Sequence, residues 1–289
     1  MDAKGRVERA LDEAVAHAEA PGCPPRFAEA IRYAVFPGGA RIRPRLVLAT
    51  AWACGDDTPD LADAAAAAIE LLHCASLVHD DMPCFDDADM RRGKPSVHAE
   101  YGESLALLTG DALIIAAFET LARAGEARPE RLAPLVRLVS RAVGAPGGIC
   151  AGQAWECEAY VDVVDYHRAK TGALFAGATM AGAAAAGHAP EPWRALGEMI
   201  GEAFQVADDI RDATETAEAI GKPVGRDAAL GRPNAVRRYG FDGAVERLTG
   251  LVLDAVGTIP ACPGQAPLRA LILHEVKQFL PKQVVLRAA

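Results

Sequence analysis

The chain has 289 residues, 51% of them hydrophobic, with 39 acidic and 30 basic side chains and a formal charge of −9. That acidic excess argues against a dominant nucleic-acid role, because phosphate backbones select concentrated Lys and Arg. The length is enough for one large core. Ala, Leu, Arg and Glu recur while alternating runs of β-branched and aromatic residues are scarce, so the expected class is all-α.

Seven cysteines (Cys23, Cys54, Cys74, Cys84, Cys150, Cys157 and Cys262) are odd in number and lack CxxC spacing. They read as reduced thiols of a cytoplasmic protein, not as a disulfide framework or a zinc site. Residues 1–20 carry charge every few positions and have no signal-peptide core, and no uncharged apolar run of about 18 residues is recognised elsewhere, so neither export nor a membrane span is expected.

In chain order, residues 6–19 and 26–35 read as amphipathic helices separated by Pro21-Gly22-Cys23-Pro24-Pro25, which cannot continue a helix. Phe36-Pro37-Gly38-Gly39 breaks the second. Arg41, Arg43 and Arg45 follow beside that flexible turn. Their guanidinium forks suit phosphate oxygens, although a solvated helix start has the same composition.

Residues 62–81 form an apolar stretch with high helix propensity, as expected of a buried helix that delivers its last turn to a cleft and is stopped by Pro83. Its end carries Asp80 and Asp81, with Asp86, Asp87 and Asp89 close behind and Arg91-Arg92-Gly93-Lys94 directly after. His73 lies two helical turns before Asp80, on nearly the same face. Further helices are expected at 103–125, 129–143, 148–160, 165–187, 191–214, 242–257 and 265–280. The small-residue tract Ala176 to Gly187 reads as a closely packed helix in preference to a linker. No shift in composition marks a boundary, so one domain spanning 1–289 is expected.

A second acidic cluster, Asp208-Asp209-Ile210-Arg211-Asp212, places Asp208 and Asp212 on one helix face with Phe204. Lys170-Thr171, Gln205 and the Gly-rich basic segment Gly221 to Asp227 complete the polar set. Either acidic cluster alone is most simply a solvated surface. Two clusters of oxygen-only ligands with basic motifs between them suit a hard divalent ion such as magnesium, bridged to substrate phosphates.

Taken in order from about Ala30 to Asp227, these motifs resemble those of the trans-isoprenyl diphosphate synthases, which include farnesyl and geranylgeranyl diphosphate synthases. Asp80, Asp81 and Asp86 match the longer form of the first motif, DDxxxxD, and Asp208, Asp209 and Asp212 match the second, DDxxD. The resemblance implies an all-helical, homodimeric enzyme with a central cavity, in which both motifs hold three magnesium ions against an allylic diphosphate contacted by Arg91. It further implies that Arg43, His73 and Arg92 hold isopentenyl diphosphate, and that Lys170, Thr171, Gln205 and Lys222 line the allylic site.

In this family the residue five before the first aspartate often acts as a floor for the growing chain. Here it is Ala75, followed by Ser76, and so small a residue favours geranylgeranyl diphosphate, with farnesyl diphosphate the main alternative. Three positions depart from the family pattern. Ala40 stands for the lysine of GGKRxRP, Arg226 for a lysine, and Glu156 for an aspartate. Two other classes compete with the synthase reading. The complete aspartate clusters disfavour a non-catalytic partner subunit, and a terpene cyclase would not need the Arg43, His73 and Arg92 set.

Overall fold

The structure is a computed structural model and describes residues 2–36, 38–160, 163–214 and 234–279. The fold is all-α, as expected; the one sheet among these residues is a two-residue hairpin. The helices are α1 (Ala3–Ala18), α2 (Pro25–Val35), α3 (Ile42–Cys54), α4 (Pro59–Asp80), α5 (Val97–Tyr101), α6 (Glu103–Gly125), α7 (Pro129–Val143), α8 (Ile149–Ala154), α9 (Val163–His167), α10 (Ala173–Ala185), α11 (Arg194–Thr214), α12 (Ala235–Gly257) and α13 (Gln265–Phe279).

Three helices open on proline within the first turn, at Pro25, Pro59 and Pro129, where a missing N–H costs nothing. Helix α1 is capped by Asp2, whose carboxylate accepts from Gly5 N at 2.9 Å, and α12 by Asn234, which accepts from Arg237 N at 3.1 Å. Gly55 closes α3 in the left-handed region, with φ of 111°.

The core is built on the alanine-rich helices. Almost every residue of α10 from Leu174 to Ala185 is buried, which bears out the packed-helix reading of that tract. Small side chains let backbones meet: a Cβ on Gly182 would collide with the Val47 carbonyl of α3. Leu48, Ile69, Leu72, Leu113 and Phe175 fill the space between helices, each contributing about 1.5–3 kcal/mol by burial.

Several boundaries differ from the sequence expectation. Helix α3 was not anticipated, because it is apolar on all sides and carries Pro44 near its start. Its buried positions show why: Val47 to Ala51, Ala53 and Cys54 all lie in the core. The span expected as one helix over 148–160 is α8 followed by a 3-10 turn over Trp155–Cys157. The span 165–187 is α9, a π-helical turn over Arg168–Gly172, and α10. Helix α12 starts at Ala235, seven residues ahead of expectation, and is interrupted at Gly240, whose φ is 72°.

Among the described residues, two helices are long and apolar enough to cross a membrane, which the sequence reading did not anticipate. The apolar window of α4 is 78% buried inside the protein, as a core helix is, whereas that of α6 is 44% buried. Leu107, Leu108 and Ile115 are exposed large apolar residues of α6, beside the exposed Asp111 and Glu119.

Candidate active site

The C-terminal end of α4 carries the first acidic cluster. Pro83 ends the helix, and the chain then folds back, with Asp86 N donating to Asp80 O at 2.9 Å and Ala88 N to Asp81 O at 3.0 Å. Asp87 takes a left-handed φ of 45° in this bend. The six-residue spacing thus brings Asp80 and Asp86 together through a turn, where a straight helix would separate them. Carboxylate oxygens of Asp80, Asp86 and Glu156 all lie within 4.8 Å of one another, an oxygen-only set of the kind that suits magnesium.

Asp81, buried at 3% exposure, is engaged differently. Arg91 Nε donates to its two oxygens at 3.0 and 3.1 Å, and Arg91 Nη2 donates to Oδ1 as well. A hairpin delivers this arginine: Met90–Arg91 pairs antiparallel with Lys94–Pro95 across a two-residue turn, Arg92-Gly93, both at positive φ. The same turn aims Arg92 at the loop before α3, where its Nη1 donates to the Gly38 carbonyl. Tyr33 of α2 anchors the hairpin by donating to Pro95 O at 2.8 Å.

Arg43 and His73 meet on the facing sides of α3 and α4, with Arg43 Nη1 3.3 Å from His73 Nε2. The guanidinium lies 4.3 Å from the Phe175 ring centroid and 5.8 Å from that of Phe204. Such stacking holds a cation where hydration is poor. Burial pulls the Arg43 guanidinium down to about 10, still charged at neutral pH. His73 is held well below the usual histidine value, by burial first and then by Arg43 and Arg92. It is therefore neutral, with Nε2 accepting. Arg43 Nε is buried without a hydrogen-bond partner among the described residues, so this cationic corner has donor capacity for an anion.

Arg41 turns the other way. Its side chain is 2% exposed and donates to Glu8 Oε1 at 3.0 Å, Glu70 Oε1 at 2.8 Å and Val35 O at 2.7 Å. It braces the start of α3 and does not replace the cation that Ala40 removes.

The π turn joins the two acidic clusters. Lys170 Nζ donates to Glu156 Oε1 at 2.5 Å and lies 3.5 Å from Asp80 Oδ1. The next residue, Thr171, donates to Gln205 Oε1 at 3.3 Å, and Gln205 Nε2 donates to Asp209 Oδ1 at 3.1 Å. Asp209, 5% exposed, also accepts from the Ala235 backbone N–H at 2.7 Å and so ties α11 to the start of α12. Asp208 and Asp212 are half-buried on the same helix. Close contact fixes the turn itself, since a Cβ on Gly152 of α8 would collide with the Lys170 backbone.

Ala75, 1% exposed, belongs to the apolar core, and the Ser76 hydroxyl is turned back to its own helix, donating to His73 O at 2.8 Å. Lys222 and the rest of the Gly221 to Asp227 segment lie outside the described residues. The sequence reading did not single out Tyr166, whose one signal was its place a helical turn before Lys170, nor Phe175, whose ring pairs with that of Phe204. A mostly apolar cavity of about 450 Å³ lies between Ile42 and Leu46 of α3, Phe204 of α11, Val252 of α12 and Leu271 of α13. None of the aspartates of either cluster is among its lining residues.

A helical scaffold that brings oxygen-only ligands together beside Lys170 and Arg91, with Arg43 and His73 paired on the adjoining helices, defines an enzyme of metal-assisted diphosphate chemistry. The polyprenyl synthetase family profile matches residues 24–257, and the chain belongs to that family: it is a prenyltransferase. It is 55% identical to a geranylgeranyl diphosphate synthase of Cereibacter sphaeroides over 98% of both chains. To one of Rhodobacter capsulatus it is 53% identical over 94% of both. Among solved structures, an FPP/GFPP synthase of Zymomonas mobilis superposes with a TM-score of 0.78 at 31% identity, covering 95% of this chain and 99% of that one. A Helicobacter pylori geranyltransferase complexed with magnesium and isoprenyl diphosphate gives 0.79 at 27% identity, covering 96% and 98%.

Proposed function

We propose that this prenyltransferase is a magnesium-dependent geranylgeranyl diphosphate synthase, joining isopentenyl diphosphate to an allylic diphosphate. The observation that carries this reading is the gathering of Asp80, Asp86 and Glu156 beside the Lys170 ammonium, at the end of the helix that carries His73, the neighbour of Arg43. Asp80, Asp81 and Asp86 on one side and Asp208, Asp209 and Asp212 on the other would hold three magnesium ions. When bound, these supply the positive charge that offsets the charge growing on the departing diphosphate. Lys170, Arg91 and Lys222 bind the allylic diphosphate, and Arg43, His73 and Arg92 orient isopentenyl diphosphate for attack by its double bond. Thr171 and Gln205 offer oxygen lone pairs to the allylic cation.

The decisive experiment incubates the full chain with isopentenyl diphosphate, an allylic diphosphate and magnesium, and sizes the dephosphorylated product. A C20 alcohol is expected, and no condensation with any allylic primer would overturn the reading. For length control, Ala75→Phe is expected to shorten the main product by at least one isoprene unit. Five helical residues span about 7–8 Å, the depth of one or two such units. An unchanged product distribution would remove Ala75 from that role.

Ala40→Lys is expected to lower the Michaelis constant for isopentenyl diphosphate by about tenfold, the weight of a charge-assisted contact. A higher constant would show a rearranged pocket in place of an under-charged one.

The reading includes one domain over 1–289, a cytoplasmic location and a homodimer. Support for the dimer is the exposure of three large apolar residues, Leu107, Leu108 and Ile115, on α6, of a kind that a second copy covers. Sedimentation equilibrium is expected to return twice the chain mass.

A further inference from the structure

Resting on the reading of Lys170 as an allylic-diphosphate ligand, we infer that Tyr166 is a positioning residue that sets Lys170 through Glu156. Tyr166 is 8% exposed, and its hydroxyl donates to Glu156 Oε1 at 2.6 Å. Lys170 Nζ donates to that same oxygen, while Gln153 Nε2 donates to Oε2 at 3.1 Å. Glu156 is therefore held by a tyrosine and a glutamine before it meets the lysine. The Lys170 ammonium also lies 5.8 Å from the centroid of the Tyr166 ring, so the tyrosine bounds the lysine on a second side.

The local backbone explains the arrangement. Tyr166 sits in α9, one turn before Lys170 in the π turn, and both approach Glu156 in the 3-10 turn that follows α8. An oxygen shared between a phenol and an ammonium attracts the ammonium less strongly than one left to it alone. With the phenol in place, Lys170 can leave Glu156 and Asp80 for an incoming diphosphate. Without it, the full charge of Oε1 falls to Lys170 and holds it back. The extra methylene of Glu156, where the family pattern has aspartate, gives this carboxylate the reach to span both partners.

The test compares wild type, Tyr166→Phe, Glu156→Gln and the double variant as full chains, by steady-state kinetics and by calorimetric titration with an unreactive allylic thiolodiphosphate plus magnesium. Tyr166→Phe is expected to raise the Michaelis constant for the allylic substrate, and to weaken analogue binding, by about tenfold, the effect of one hydrogen bond to a charged group. The Michaelis constant for isopentenyl diphosphate should not move. In the Glu156→Gln background the tyrosine change should add nothing further. Equal effects on both substrates, additive losses in the double variant, or no effect at all would each overturn the inference. A purely structural tyrosine would lower the melting temperature without splitting the two substrates. Should Tyr166→Phe not fold, Glu156→Gln alone decides: with the charge that holds Lys170 removed, analogue binding is expected to be at least as tight as in wild type with the Michaelis constant for isopentenyl diphosphate unchanged, and weaker analogue binding would overturn the inference. Failure of wild type to condense would count against the synthase reading and not against this one, because analogue binding is measured separately.

Discussion

Replacing Asp80 by asparagine is expected to lower turnover by about a hundredfold to a thousandfold while leaving the fold at least as stable as wild type. The loss follows from the position of Asp80, which contributes to the oxygen cluster with Asp86 and Glu156 and lies beside the Lys170 ammonium. Asparagine keeps the size but offers a neutral ligand that binds magnesium weakly.

The stability half rests on a sign. Burial, partly offset by Lys170, raises the Asp80 carboxyl above the usual aspartate value. A carboxyl raised in the folded state favours folding while protonated, and that advantage is lost as pH rises through the folded value. At neutral pH the charge therefore opposes folding, and asparagine relieves it. Melting curves with and without magnesium separate the two effects. Wild type should gain melting temperature on adding the ion, by mass action, and Asp80→Asn should gain less. Unchanged turnover, or an undiminished magnesium shift, would remove Asp80 from the ligand set.

The fold class and most of the site's membership were legible because their signals are local. Helix propensity, proline stops and the aspartate spacing each lie within a few residues, and α4, α6 and α7 fall within three residues of expectation. Helix α3 was not legible, since its run from Leu46 to Cys54 is apolar with no polar face and so shows no periodicity to read. The π turn was equally hidden: its extra residue is stabilised by contacts with α8 and α11, far away in sequence.

The partners of the charged groups required three dimensions. Arg41, Arg43 and Arg45 look alike in the sequence, yet Arg41 turns into the core to meet Glu70, while Arg43 lies against Phe175 and meets His73. Asp209 reads as the equal of Asp208, yet Asp209 also ties two helices together through the Ala235 N–H. Glu156 stood out only as a departure from a family pattern, and its joint hold on Tyr166 and Lys170 depends on how α8 and α9 approach each other.

Arg41→Ala is expected to destabilise the chain by about 3–5 kcal/mol, because it strands a buried carboxylate. Glu70 is 2% exposed and takes its charge-assisted bond from Arg41 at 2.8 Å. The Val35 carbonyl at the end of α2 loses its donor in the same substitution. Arg41 itself adopts a left-handed φ of 49°, a conformation costing about 1–2 kcal/mol that this three-way anchorage sustains. For a chain of this size the loss corresponds to a fall of about 5–8 °C in melting temperature, read by circular dichroism. The double variant Arg41→Met with Glu70→Leu distinguishes a stranded charge from lost packing. Removing both charges together is often neutral, so most of the stability should return, whereas a double variant as unstable as Arg41→Ala would place the cost in the loop conformation. Because Arg43 follows two residues later on the same helix start, the single variant should also raise the Michaelis constant for isopentenyl diphosphate at temperatures where the chain is still folded. The brace at Arg41 and the anion-facing corner at Arg43 are thus coupled through one turn of α3.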